Sequence, residues 1–169
     1  VISSIIKNQN LITIGSIDKS LLLRIIIFFS LSFWCIGFLL PIFYSVQNPV
    51  VFFFVKNIYA SVCHQVNSKC ITIGSGQMFV CARCAGIYFG GLTAVVLSLV
   101  LFTPFIGNRF LFLSVLPLLT DVFFTTIKIY NYSQILAFST GILFGIVLSL
   151  VILSELENFF NQKLVKGYE

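Results

Sequence analysis

Cys63, His64, Cys81 and Cys84 are the residues of this chain best equipped for chemistry, and they lie close together in the sequence. Cys63-His64 is followed about seventeen residues later by Cys81-x-x-Cys84, and His64 is the only histidine of the chain. Short pairs of Cys and His separated by a loop are the spacing of a metal site, and tetrahedral sulfur and nitrogen donors suit zinc. An iron–sulfur cluster could use the same ligands, but three thiolates and one histidine are an uncommon set for it. Haem held by His64 and Met78 is less suited still, because no CxxCH attachment run is present. Side chains adjacent on a helix diverge by about 100°. Only one of Cys63 and His64 is therefore expected to face a metal held by Cys81 and Cys84, unless the backbone there is irregular. The other reading of His64 is a hydrogen-bonding group beside the ligands. Cys70 lies between the two pairs and is a possible additional thiol. The same residues also allow redox chemistry. A CxxC at a helix N-terminus has its thiolate favoured by the helix dipole, and Arg83 between the cysteines adds positive charge.

The elements that position these residues are apolar. The chain is 59% hydrophobic and 9% charged, with 20 phenylalanines. A soluble domain has roughly 25% charged residues, so the composition is that of an integral membrane protein. The Lys and Arg residues lie mostly between apolar runs, a pattern of topology rather than of nucleic-acid binding. We read one domain over residues 1–169. Residues 1–20 form an interfacial or partner-bound tail, too broken by polar residues to span. Four spans follow, at about 21–44, 81–103, 110–127 and 134–153, and then a polar helical extension, 154–169. Arg24, near the end of the first span, is expected to snorkel to the headgroups, and Cys35 to act as a small buried hydrophobe. The apolar run Val50–His64 is too short to cross and is expected to lie at the interface, delivering Cys63 and His64. Gln65–Phe79 is a polar loop, in which the alternation Cys70-Ile71-Thr72-Ile73 and the Gly74-Ser75-Gly76 turn indicate a short hairpin. The expected fold is thus all-α: a four-helix membrane bundle with an interfacial helix and a cysteine-rich loop.

An even number of spans puts both termini on one face. That face collects Lys7, Lys19, Arg24, Arg109, Lys163 and Lys166, against Lys56, Lys69, Arg83 and Lys128 on the other. The excess favours cytoplasmic termini and an outward cysteine loop. Gly86 with Gly90 in the second span and Gly141 with Gly145 in the fourth are spaced for close helix packing in lipid. Arg83 and Asp121 are charges within the apolar spans, where an ionisable group needs a partner. Their depths, counted from the loop side, differ by roughly 6 to 8 Å at 1.5 Å per residue, within reach of an arginine. They are expected to form a buried ion pair.

The run Cys63-His64-Gln65, Lys69 and Val80-Cys81-Ala82-Arg83-Cys84-Ala85-Gly86-Ile87-Tyr88-x-Gly90 resembles the signature of domain of unknown function 2085, a family of small prokaryotic membrane proteins. Pro117-x-x-x-Asp121 and Thr140-Gly141-Ile142-Leu143-Phe144-Gly145 are similar to later motifs of that family. The chain departs from the family pattern at Asn67, Lys69, Cys70 and Ile71, where proline, arginine, serine and phenylalanine are usual. The resemblance implies a four-span membrane fold and brings no activity with it. The remaining inventory is flat: no paired carboxylates, no Ser-His-Asp set and no phosphate-cradling glycine loop. It points away from an enzyme, towards a metal-stapled accessory subunit of a larger membrane complex. The alternative is a thiol–disulfide or quinone-linked redox protein, by architectural analogy only.

Overall fold

The structure, a computed structural model, describes residues 2–43, 49–74, 76–101 and 108–166, with side chains placed for 20–43, 49–74, 76–101 and 109–160. Among the described residues there are five α-helices and one two-stranded sheet. Helix α1 runs Ile2–Phe43, α2 Pro49–Ala60, α3 Ala82–Leu101, α4 Asn108–Thr126 and α5 Gln134–Lys166. Strands β1 (Cys70–Ile73) and β2 (Gly76–Cys81) form the antiparallel hairpin that the alternation around Ile71 indicated. Of the turn that the sequence indicates at 45–49, residues 45–48 lie outside the described residues and Pro49 begins α2; residues 102–103 at the end of the second span also lie outside them.

Four of these helices are long and apolar enough to cross a membrane: Ser20–Phe43, Ala82–Leu101, Arg109–Thr126 and Gln134–Phe160. The stretch read as an interfacial tail continues α1 as helix from Ile2, and α5 carries its apolar character beyond Leu153 before the polar end. Much of the helix surface is exposed phenylalanine, leucine and isoleucine, with Phe33 81% and Phe112 73% exposed. On a four-span bundle such side chains face lipid, where an exposed apolar group has no cost. Helix α2 is shorter and lies beside the bundle. Its Tyr59 is buried and donates to the Trp34 carbonyl at 2.9 Å, while Phe53 and Phe54 remain exposed, as for a helix at an interface.

The bundle is assembled around α3, which packs chiefly on α5 and also on α1; α4 packs on α5. Within lipid, helices gain nothing from hydrophobic association with one another, so close backbone approach must hold them. The glycines supply it. A Cβ on Gly86 or Gly90 would collide with the carbonyl of Phe138 or Ile142 in α5. Reciprocally, a Cβ on Gly141 would lie 2.5 Å from the Arg83 carbonyl oxygen of α3, and one on Gly145 would strike the Ile87 carbonyl. Each glycine thus rests on the backbone of the partner helix, where Cα–H groups meet carbonyl oxygens for about 0.5–1 kcal/mol per contact.

The end of the bundle opposite the cysteine loop is closed by a pair that sequence reading placed differently. Arg24 does not snorkel; it is 8% exposed. Its Nε donates to Glu157 Oε1 at 2.7 Å and its Nη2 to Oε2 at 3.2 Å, while Nη1 donates to the Ser98 carbonyl. Ser20 Oγ donates to the same carboxylate at 2.7 Å. The side chain therefore joins α1, α3 and α5. Headgroup snorkelling loses because a bidentate carboxylate lies within reach at the same depth.

Because no neighbouring side chain can swing away from a backbone carbonyl, Gly90→Val is expected to destabilise the α3–α5 contact by about 1–3 kcal/mol. Unfolding in mixed detergent micelles, compared with a conservative change at a lipid-facing residue such as Phe112→Leu, measures it.

Candidate metal centre

The site lies where three elements meet: the exit of α2, the open end of the hairpin and the first turn of α3. Helix α2 ends at Ala60, earlier than the apolar run in the sequence indicated. Ser61 Oγ donates back to the Ile58 carbonyl at 2.7 Å, and the Cys63 amide to the Tyr59 carbonyl at 3.0 Å, which closes the last turn. Gln65 then adopts a left-handed backbone, φ 47°, with its Nε2 donating to the Lys56 carbonyl at 2.8 Å. A non-glycine residue pays conformational energy at positive φ, and the side-chain hydrogen bond to α2 offsets it. This turn separates two neighbours: Cys63 points inward and is 7% exposed, whereas His64 is exposed.

Cys81 is the last residue of β2, and Cys84 sits in the first turn of α3, two residues beyond its start. The Sγ atoms of Cys63, Cys81 and Cys84 all lie within 4.8 Å of one another. His64 is not a member of this group, and neither is Cys70, which is 2% exposed. All five cysteines are free thiols, and Cys35 is buried in the first span, away from the group. The Cys81 amide donates to Cys63 Sγ at 3.2 Å. Hydrogen bonds from the Cys81 and Cys84 thiols, with the backbone amides of Cys81 and Gln65, pull the Cys63 thiol down to about 2 against the opposing effect of burial. Cys63 is therefore the sulfur on which negative charge collects. Burial pushes the Cys70 thiol up to about 11, helped by the charge of Cys63 and Cys81.

Arg83, between the two cysteines of the CxxC, turns away from the sulfurs. Its Nη2 donates to Asp121 Oδ2 of α4, and Tyr130 Oη donates to Oδ1 of the same carboxylate. Asp121 is 7% exposed. The pair ties α4 to the helix end that carries Cys84, while the Arg83 carbonyl rests against Gly141. Tyr130 carries no signal in the sequence beyond its place in the α4–α5 connection. The rim is tied down by the same connection. Tyr132 Oη donates to the Lys69 carbonyl at 3.4 Å, Gln134 Nε2 donates to the Cys70 carbonyl at 3.1 Å, and Lys69 Nζ lies 5.5 Å from the Tyr132 ring centroid.

A family model described as "Predicted membrane protein (DUF2085)" matches residues 63–151, a range that begins at Cys63 and takes in the whole site. An uncharacterized protein of Methanocaldococcus jannaschii is 29% identical over 105 residues, covering 57% of this chain and 64% of the relative. The match thus spans just under two thirds of that relative's length. No solved structure matches the chain.

Asp121→Ala is expected to destabilise the bundle by about 3–5 kcal/mol, because it strands the Arg83 guanidinium at a membrane-buried position. Asp121→Asn keeps an oxygen for Arg83 and Tyr130 and should cost distinctly less. Unfolding midpoints of the two variants in detergent give the order, and no loss in Asp121→Ala would show that the carboxylate is not the guanidinium's essential partner.

Proposed function

The chain belongs to the DUF2085 family of predicted membrane proteins, and from that premise we propose that it is a non-enzymatic membrane subunit. In this reading Cys63, Cys81 and Cys84 hold a structural metal ion, zinc, that staples the segment between α2 and α3 onto the bundle. The observation that carries it is the mutual approach of three sulfurs drawn from separate elements. Four sulfurs around zinc at about 2.3 Å stand about 3.8 Å apart, so a triangle of this size needs only small adjustment to occupy three corners of the tetrahedron. The donor set fits in chemistry as well as in size. Thiolate sulfur is soft, and a thiolate that accepts an N–H hydrogen bond, as Cys63 does, is the usual support for a coordinating sulfur.

A disulfide serves this group less well. Two of the three thiols would pair and the third would remain in a half-buried pocket, whereas one cation uses all three. An accessory role in a larger membrane assembly follows from two features. Polar groups of the described residues form ion pairs and loop anchors, and α4 leaves one apolar face, with Phe112, Leu113, Leu116, Leu119 and Phe123, exposed. That surface is available to lipid and to a neighbouring membrane subunit.

The orientation with cytoplasmic termini rests on charge. Setting aside Arg24 and Arg83, each paired with a carboxylate within the bundle, the basic residues divide five to three in favour of the terminal face. The staple then stands on the outer side of a prokaryotic cytoplasmic membrane.

Elemental analysis of the purified protein, with a count of reactive thiols under native conditions, tests the reading. The expected result is one zinc per chain and thiols that react only after chelation. Metal-free protein with an oxidised Cys81–Cys84 pair would instead move the site to thiol–disulfide chemistry. Orientation is checked separately: an impermeant thiol reagent added outside intact cells should label the chelator-treated site, and labelling confined to opened cells would reverse the topology.

A further inference from the structure

Three sulfurs leave one corner of a tetrahedron open. We infer that Cys70, and not His64, fills it, so that the site is a closed set of four thiolates. This inference rests on the metal reading above.

The hairpin register places Cys70 directly opposite Cys81. Opposed residues of an antiparallel pair have their Cβ atoms about 4.5–5.5 Å apart on the same face of the sheet. Cys81 already contributes one of the grouped sulfurs. The Cys70 thiol stands outside the 4.8 Å triangle, but rotation between staggered rotamers moves a cysteine sulfur by about 3 Å without moving the backbone.

The backbone itself is held in place. The Cys70 amide donates to the Asn67 carbonyl, closing the short 3-10 turn Asn67–Lys69, and its carbonyl accepts from Gln134 at the start of α5. A ligand position that is fixed before the ion arrives loses little entropy on binding. Cys70 is also 2% exposed, so its sulfur sits on the inner side of the hairpin with the others. The register shift between Cys70 and Thr72 has the form expected of a strand bent to present one residue differently from the next.

His64 fails on the same criteria. The left-handed turn at Gln65 directs it outward while Cys63 turns in, and it is exposed. Bringing its ring to the sulfurs would require undoing the turn that the Gln65–Lys56 hydrogen bond holds.

Four thiolates leave no position for water or substrate, which is the mark of a structural rather than a catalytic zinc. The ligand spacing is then one cysteine before the loop, one at each open end of the hairpin, and one in the helix.

X-ray absorption on the zinc-loaded wild-type protein tests the assignment without any substitution. Four sulfur neighbours are expected; three sulfurs with one nitrogen or oxygen would overturn it. Cobalt substitution supplies the second arm. Cys70→Ser should lower the thiolate-to-cobalt charge-transfer absorption by about a quarter and weaken zinc, measured by chelator competition, beyond the roughly 10–100-fold that losing an outer hydrogen bond costs. His64→Ala should change neither. The assignment fails if Cys70→Ser leaves both readouts intact, or if His64→Ala is the variant that loses them. Protein that binds no zinc at all removes the metal reading and this inference together, a result distinct from zinc bound by three sulfurs.

Discussion

The contact between α3 and α5 is the constraint on which the other features depend. Gly86 and Gly90 rest on carbonyls of α5, and Gly141 and Gly145 rest on carbonyls of α3, so each backbone is the surface against which the other is fitted. Side-chain packing can slide by rotamer changes; backbone against backbone cannot. The register between the two helices is therefore fixed, and with it the height of the α3 N-terminus relative to the α5 N-terminus. Gln134 at the start of α5 can then reach the Cys70 carbonyl, and Tyr132 the Lys69 carbonyl, because those heights agree. A seam of four small residues in the bilayer thus positions a loop outside it.

The two ion pairs occupy opposite ends of the same bundle and act in different ways. Arg24 and Glu157 lock α1 to α5 through a carboxylate that also accepts from Ser20, and the third contact of Arg24 is a backbone carbonyl of α3. Arg83 and Asp121 attach α4, which packs chiefly on α5, to the cysteine-bearing turn. In a low-dielectric environment an uncompensated charge is far more costly than a paired one is favourable. Such pairs therefore specify which helix neighbours which more than they add stability. Asp121 shows this most directly: its two oxygens receive Arg83 from one helix and Tyr130 from the connection to the next.

Much of this was legible in the sequence because membrane proteins state their fold in simple terms. Runs of apolar residues near the required length mark the spans, the Cys70–Ile73 alternation marks the hairpin, and glycines four apart mark a seam. The Arg83–Asp121 pairing follows from depth alone. The same depth argument applied to Arg24 and Glu157 would have found the second pair. It was masked because an arginine near a span end has an easy alternative in the headgroups. The His64 placement was not legible for a different reason. Where α2 stops depends on Ser61 and on a left-handed Gln65 anchored to Lys56, and neither residue type announces such a turn. Apolar periodicity ran on to Val62, so the helix seemed to continue through both candidate ligands.

That misplaced helix end matters for the chemistry. On a continuing helix, Cys63 and His64 would diverge by about 100° and compete for one inward direction. The turn removes the competition by sending the histidine out and presenting the thiol to the N–H of Cys81. The Cys63 sulfur there accepts the Cys81 N–H and lies within 4.8 Å of two more sulfurs. The imidazole is left outside the group. The grouped sulfurs bring the exit of α2, the end of the hairpin and the head of α3 to one point above the glycine seam.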